Sequence, residues 1–261
     1  MKLFKIALSD YFIKVYSNNR IYKYCCLVIM VIIMWYIQRS RDVYFNGFTF
    51  SVADGYVLTI NRWVAVLIVY PMIFFTTFGI LESTYSVQKI IKMHSLRKTW
   101  CIQLIQCLVN AIILSVVLTL IVCVANLDVM NNVINFSESD SIFAFYNKGF
   151  ISETTKIWHV MIAFAVCETV IIFTGSTLVC FLNIFFEIKS SLLISGILLA
   201  CETFFGSNFL GISNINIAYY NWCPKANFHL QKAILIVMLE IILGFIFVNK
   251  KDVLYGKAEF V

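Results

Sequence analysis

The stretch Trp100-Cys-Ile-Gln103-Leu-Ile-Gln106-Cys-Leu-Val-Asn110-Ala-Ile-Ile-Leu-Ser115-Val-Val-Leu-Thr119-Leu-Ile-Val-Cys-Val-Ala125 decides the fold. No Asp, Glu, Lys or Arg interrupts it, over more than the about 20 residues that a helix needs to cross a bilayer. Its three amides, Gln103, Gln106 and Asn110, follow at spacings of 3 and 4 and so share one helical face. Amides in a membrane helix serve best as hydrogen-bonding glue to a neighbouring helix.

Five further apolar runs flank this one: Tyr24–Ile37, Trp63–Leu81, Ile157–Phe186, Ser190 to about Phe205, and Ala233–Val248. Together they predict an all-α polytopic membrane protein of six transmembrane helices, a single transmembrane domain over residues 1–261. The first run is short and must borrow flanks from Ile21 to about Arg39, with Lys23 and Arg39 snorkelling outward. Pro71 is expected to kink the second. The run Ile157–Phe186 exceeds an upright span, so it should tilt, protrude, or break near Gly175–Ser176.

Composition agrees. Of 261 residues 61% are hydrophobic and only 13% charged, with a mean hydropathy of +0.87; soluble domains carry about 25% charged residues. A soluble enzyme, a disordered chain and a disulfide framework are all excluded. Eight of the nine cysteines lie in or beside apolar runs, where they act as small hydrophobes. Only Cys223 falls in a loop, and no Cys/His spacing of the zinc type occurs. Charge interrupts Met1–Lys23 every few residues, unlike a cleavable signal peptide.

Lys and Arg set the orientation. With six spans the termini share a side, and that side collects 13 of the 20 basic residues against 7 on the other. Both termini are therefore expected in the cytoplasm. Residues 3–16 carry an apolar stripe at Phe4, Ala7, Leu8, Tyr11 and Val15, which reads as an interfacial helix ahead of the first span. Gly206–Tyr220, between spans five and six, is apolar but seeded with Asn208, Asn214 and Asn216. It can dip back as a re-entrant element, which is tolerated only against protein or a water-filled cavity. The other large outer connection, Asn126–Lys156, reads as polar, acidic and irregular.

Catalytic chemistry has no foothold. His94, His159 and His229 are scattered and read as interfacial polar residues. H-E-x-x-H, G-x-S-x-G and the phosphate-binding G-x-x-x-x-G-K-[ST] are missing, so the chain is expected to be no enzyme and to hold no metal or cofactor. No basic stripe suggests nucleic acid. The informative charges are Glu168, Glu202 and Glu240, inside spans. An ionised side chain at mid-membrane costs at least roughly 3 kcal/mol. Such glutamates either line a substrate or proton pathway, together with Asn208 and Asn214, or lock helices together by hydrogen bonds.

The segment Glu82-Ser-Thr-Tyr-Ser-Val-Gln-Lys-Ile-Ile-Lys-Met-His-Ser-Leu-Arg-Lys-Thr-Trp100 ends in Ser95-x-Arg97-Lys98-x-Trp100 and runs into the long apolar helix. It resembles the stretch that follows the second span in small bacterial ABC-2-type permeases. The tail Asn249-Lys-Lys-Asp252-Val-Leu254 is similar to that family's ending, and the layout of six spans with an N-terminal interfacial helix agrees. The resemblance implies the membrane subunit of an ABC exporter in a bacterial inner membrane, moving a peptide, antimicrobial or drug-like substrate. It further implies a second permease subunit, and a cytoplasmic ATPase that would hold ATP and Mg. The ATPase contact would be Glu82–Lys98, with Val87, Ile90 and Ile91 as an apolar face, Lys89 and Lys92 pointing elsewhere, and Arg97 beside them. Two rivals stay open: a proton-coupled secondary transporter using the glutamates, and an immunity protein that binds a toxin through Asn126–Lys156.

Overall fold

Hydrocarbon offers no hydrogen bonds, so a chain of this composition must satisfy its backbone within helices. The computed structural model describes residues 2–12, 31, 47–59, 64–84, 95–127, 132–146, 149, 151–205 and 228–258. The helices are α1 (Lys2–Asp10), α2 (Val52–Thr59), α3 (Tyr70–Thr84, entered through a π turn at Ala65–Val69) and α4 (Leu96–Leu127). They continue with α5 (Ile142–Tyr146), α6 (Ile157–Leu182), α7 (Ile188–Phe205) and α8 (Phe228–Ala258). Five stretches are long and apolar enough to cross a membrane: Ala65–Glu82, Leu96–Asn126, Ile157–Leu182, Ile188–Phe205 and Gln231–Asn249. The architecture is that of an all-α polytopic membrane protein. The run Tyr24–Ile37 lies outside the described residues apart from Val31, and Gly206–Tyr220 lies wholly outside them.

Contacts fix the helix directions. Asn110 of α4 donates to Thr76 of α3 at 2.9 Å. Further along α4, the backbone carbonyl of Thr119 accepts from Tyr56, which precedes α3. The two helices are thus antiparallel. α6 meets α4 in the same opposed sense, through Cys107–Cys180 and Ser115–Thr169. α8 runs parallel to α6, with Thr177 against Glu240 and Phe181 and Phe185 against Phe247. α7 opposes α3, since Tyr70 reaches Thr203 while Phe74 lies against Gly196.

Three local details depart from a plain reading of the apolar runs. Pro71 is absorbed by the π turn: Tyr70 N–H bonds to the Ala65 carbonyl, five residues back, which shifts the ladder where proline supplies no donor. α6 passes straight through Gly175–Ser176 and ends at Leu182, so the excess of Ile157–Phe186 is a turn rather than a break. Phe185 in that turn is exposed and makes edge contacts with Phe181 and Phe247. The connection after α4 is folded, not irregular. Its Asn132 and Val133 carbonyls accept the first two N–H groups of α2, and Asp140 accepts Thr49 N–H. Phe136 stacks on Phe143 at 4.0 Å, and Phe48 meets Phe145. Residues 47–59 and 132–146 together form a cap over one end of the bundle.

Ser51 and Asp54 close the cap as a capping box. The Asp54 carboxylate accepts Ser51 N–H at 2.8 Å and Ser51 Oγ–H at 2.9 Å, while Asp54 N–H points back at Ser51 Oγ. Burial pushes the Asp54 carboxyl up from 3.8 to about 6, against the bonds from Ser51, which pull it down. At the opposite end of the bundle Trp100, 1% exposed, lies over Gly244 so closely that a Cβ there would collide with the indole.

Two outcomes follow. A carboxyl whose folded pKa is raised binds its proton more tightly when folded, so cap stability should rise as pH falls from above 6 towards 4. Hydrogen exchange of 52–59, corrected for intrinsic rate, should show stronger protection at about pH 5 than at about pH 7.5, and Asp54→Asn should abolish the difference. Gly244→Val should cost about 1–3 kcal/mol through overpacking, lowering the thermal midpoint in detergent, and Trp100→Phe should return part of the loss.

Candidate functional site

Three hydroxyl residues of α6 each face a different neighbour. Thr169 shares a 2.7 Å hydrogen bond with Ser115 of α4. Ser176 accepts from Thr77 of α3 at 3.1 Å. Thr177 donates to the Glu240 carboxylate of α8 at 2.6 Å. Gly175 fits against Ile73 and Leu199, where a Cβ would come within 2.9 Å of Ile73 Cδ1. Small and hydroxyl-bearing residues thus let four helices close on the fifth.

Within that framework the three glutamates part company. All are buried, at 3% exposure for Glu168, 1% for Glu202 and 7% for Glu240. Glu240 is a bonded residue, joined to Thr177 between α8 and α6. Glu202 lies beside Thr203, whose hydroxyl pairs with Tyr70 at 2.5 Å. Tyr70 lies within electrostatic reach of both Glu202 and Glu168. Residues from α3, α6 and α7 therefore gather at one level of the bundle. That level is towards the cap, five residues into the span of α3 and three from the end of α7. Glu168 Oε2 is buried there without a hydrogen-bond partner.

The amides of α4 are joined to other elements, as glue should be. Gln106 donates to the Ala7 carbonyl of α1 at 3.2 Å, and one turn on Tyr11 donates to Asn110 at 2.8 Å. α1 thus docks its Ala7–Tyr11 edge on α4 and leaves Phe4 and Phe12 exposed. Gln103 is buried.

Of the proposed ATPase-contact residues, Glu82 and Arg97 are exposed on either side of the connection between α3 and α4. Val87, Lys89, Ile90, Ile91 and Lys92 lie outside the described residues, as do Asn208 and Asn214. Trp100, three residues beyond Arg97, is clasped to α8 through Gly244. Among the described residues no group of three or more His, Cys, Asp and Glu could hold a metal ion. Sequence reasoning missed Tyr70 and Thr203. The signal was there in the polar pair Glu202-Thr203 and in the tyrosine before Pro71, but only the packing brings them together. No family model matches the chain, and no curated protein or solved structure matches it.

A buried polar atom left unpaired costs about 1–3 kcal/mol. Glu168→Leu should therefore raise the thermal midpoint in nanodiscs, whereas Glu240→Leu should lower it by removing the acceptor of Thr177. Glu240→Gln, which keeps a carbonyl acceptor, should stay closer to the parent protein than Glu240→Leu does.

Proposed function

We propose that the chain is the membrane-spanning subunit of an ATP-driven exporter of the ABC-2 type, paired with a second permease subunit and served by a separate cytoplasmic ATPase. Its substrate is a peptide, an antimicrobial or a drug-like molecule. The observation that carries this reading is the clasp of Trp100 on Gly244. The residues of Ser95-x-Arg97-Lys98-x-Trp100 divide their work along the first turn of α4. Thr99 N–H returns to the Ser95 carbonyl, Arg97 and Lys98 are exposed, and Trp100 is locked under α8. A push delivered to the connection between α3 and α4 is then passed to α4 and α8 together, which is what nucleotide-driven transport requires of its membrane subunit.

In this reading the end carrying α1 and the connection Glu82–Lys98 is cytoplasmic, in a bacterial inner membrane, and the cap faces outward. ATP and Mg belong to the partner. Docking energy comes mainly from Val87, Ile90 and Ile91, while Lys89 and Lys92 tune association and its salt dependence. A proton-coupled carrier is the second reading, favoured by the unpartnered carboxyl of Glu168.

Replacing Val87, Ile90 and Ile91 together with Ser should release the ATPase from detergent extracts and abolish substrate-stimulated ATP hydrolysis, with insertion unchanged. Lys89→Gln with Lys92→Gln should only weaken assembly as salt rises. Retention of both ATPase and transport in the triple variant would remove the exporter reading. Transport that survives ATP depletion and collapses with an uncoupler would favour the proton-coupled one.

A further inference from the structure

Most buried polar side chains in the described bundle answer to a neighbour, and Glu168 does not. Its Oε2 is sealed from solvent and has no hydrogen-bond partner. A buried carboxyl oxygen left this way calls for an explanation, with a ligand or an ion among those available, because packing alone would favour Leu. The surroundings state which ligand charge is wanted. Tyr70 from α3 and Glu202 from α7 face the same level, and Cys167 sits beside Glu168 on α6. Lys232 of α8, at comparable height, is engaged in contacts of its own, and no bond or charge pair joins it to Glu168. α4 brings Ser115 to Thr169 of α6 in a shared hydrogen bond and carries no charged residue at this point. Glu168 and the Tyr70–Thr203 hydroxyl pair together are rich in acceptors.

We propose that Glu168, with Tyr70 and the Tyr70–Thr203 hydroxyl pair, binds the positively charged amino group of the transported molecule. A primary ammonium carries three N–H donors and one charge. It would pair its charge with the Glu168 carboxylate and give remaining donors to the hydroxyl oxygens, the strong, charge-assisted kind of bond in a dry setting. Glu240 has no such part, since Thr177 already occupies it. The position fits the last stage of export. The site lies towards the cap, three residues from the end of α7, so an ammonium held there has crossed most of the bundle. Tyr70 follows the π turn directly, and π turns recur where a helix adjusts at functional sites. The inference rests on the transport reading above for the identity of its ligand as a substrate, and it names that substrate's class as amine-bearing.

The test uses the full chain in nanodiscs without any ATPase, so that it stands or falls apart from the exporter reading. The probe is a dansyl-labelled alkyl primary amine, compared with its N-acetylated neutral analogue. The amine should bind and the neutral analogue should bind at least about tenfold more weakly, a difference of about 1.4 kcal/mol. Glu168→Gln should reduce amine binding by about tenfold or more, Tyr70→Phe by less, and Glu240→Gln should leave it unchanged. Thermal midpoints of the variants confirm that each is folded, and Glu168→Asp should retain part of the affinity. Equal binding of the two probes, or undiminished amine binding by folded Glu168→Gln, would overturn the proposal. Glu168-dependent proton uptake with no amine binding would overturn it in favour of proton coupling. Loss of the ATPase partner in the preceding experiment would leave this result untouched.

Discussion

The fold depends on α6 meeting a different neighbour at each of Thr169, Ser176 and Thr177. Lipid chains are as apolar as leucine, so helices in a bilayer gain little by hiding apolar faces from lipid. What holds them is close approach and hydrogen bonds that have no competing water. α6 supplies both. Thr169, Ser176 and Thr177 bond to α4, α3 and α8 in turn, and Gly175 admits Ile73 and Leu199. The apolar residues left over are exposed in rows, as on α8 at Leu235, Met238, Leu239 and Ile242, where a soluble protein would place charge.

The cap inherits its position from that arrangement. Tyr56 bonds to the Thr119 carbonyl of α4 and meets Phe164 of α6 at 5.0 Å. Gly55 lies so close to the Asn126 side chain that an added Cβ would force that amide to move. α2 therefore rests on the ends of the two longest-paired helices, and its N-terminal donors are satisfied by the segment that follows α4. Because Asp54 is buried in this joint, the rigidity of the cap is tied to a carboxyl that burial pushes up to about 6.

Much of this was legible in the sequence, and the reason is physical. A membrane enforces length and lack of charge on every crossing helix, so the runs at Trp63–Leu81, Trp100–Ala125, Ser190–Phe205 and Ala233–Val248 announce themselves. The amides of α4 were legible too, since their spacing puts them on one face. The cap was not. Its core is Phe48, Phe136 and Phe143 within polar connections, and it is built from backbone pairs between distant segments that leave no periodicity. The end of α6 was hidden for another reason: Phe185 and Phe186 are as apolar as the helix before them, so hydropathy could not mark the turn.

The glutamates show where composition stops discriminating. Glu168 and Glu240 are the same residue, in similar apolar runs, and their sequence contexts offer no ground for different roles. What separates them is a single hydroxyl on a helix far away in the chain. Thr177 stands one turn above Cys180 on the face of α6 that α8 covers, and it gives Glu240 a donor; no described residue does the same for Glu168. A bonded carboxyl fixes the spacing of two helices and gains nothing from being free to bind. An unbonded one carries an energetic cost that packing does not return. The difference between a bonded and an unbonded carboxyl is thus drawn by tertiary contact, and it falls between two glutamates that the chain itself presents as equals.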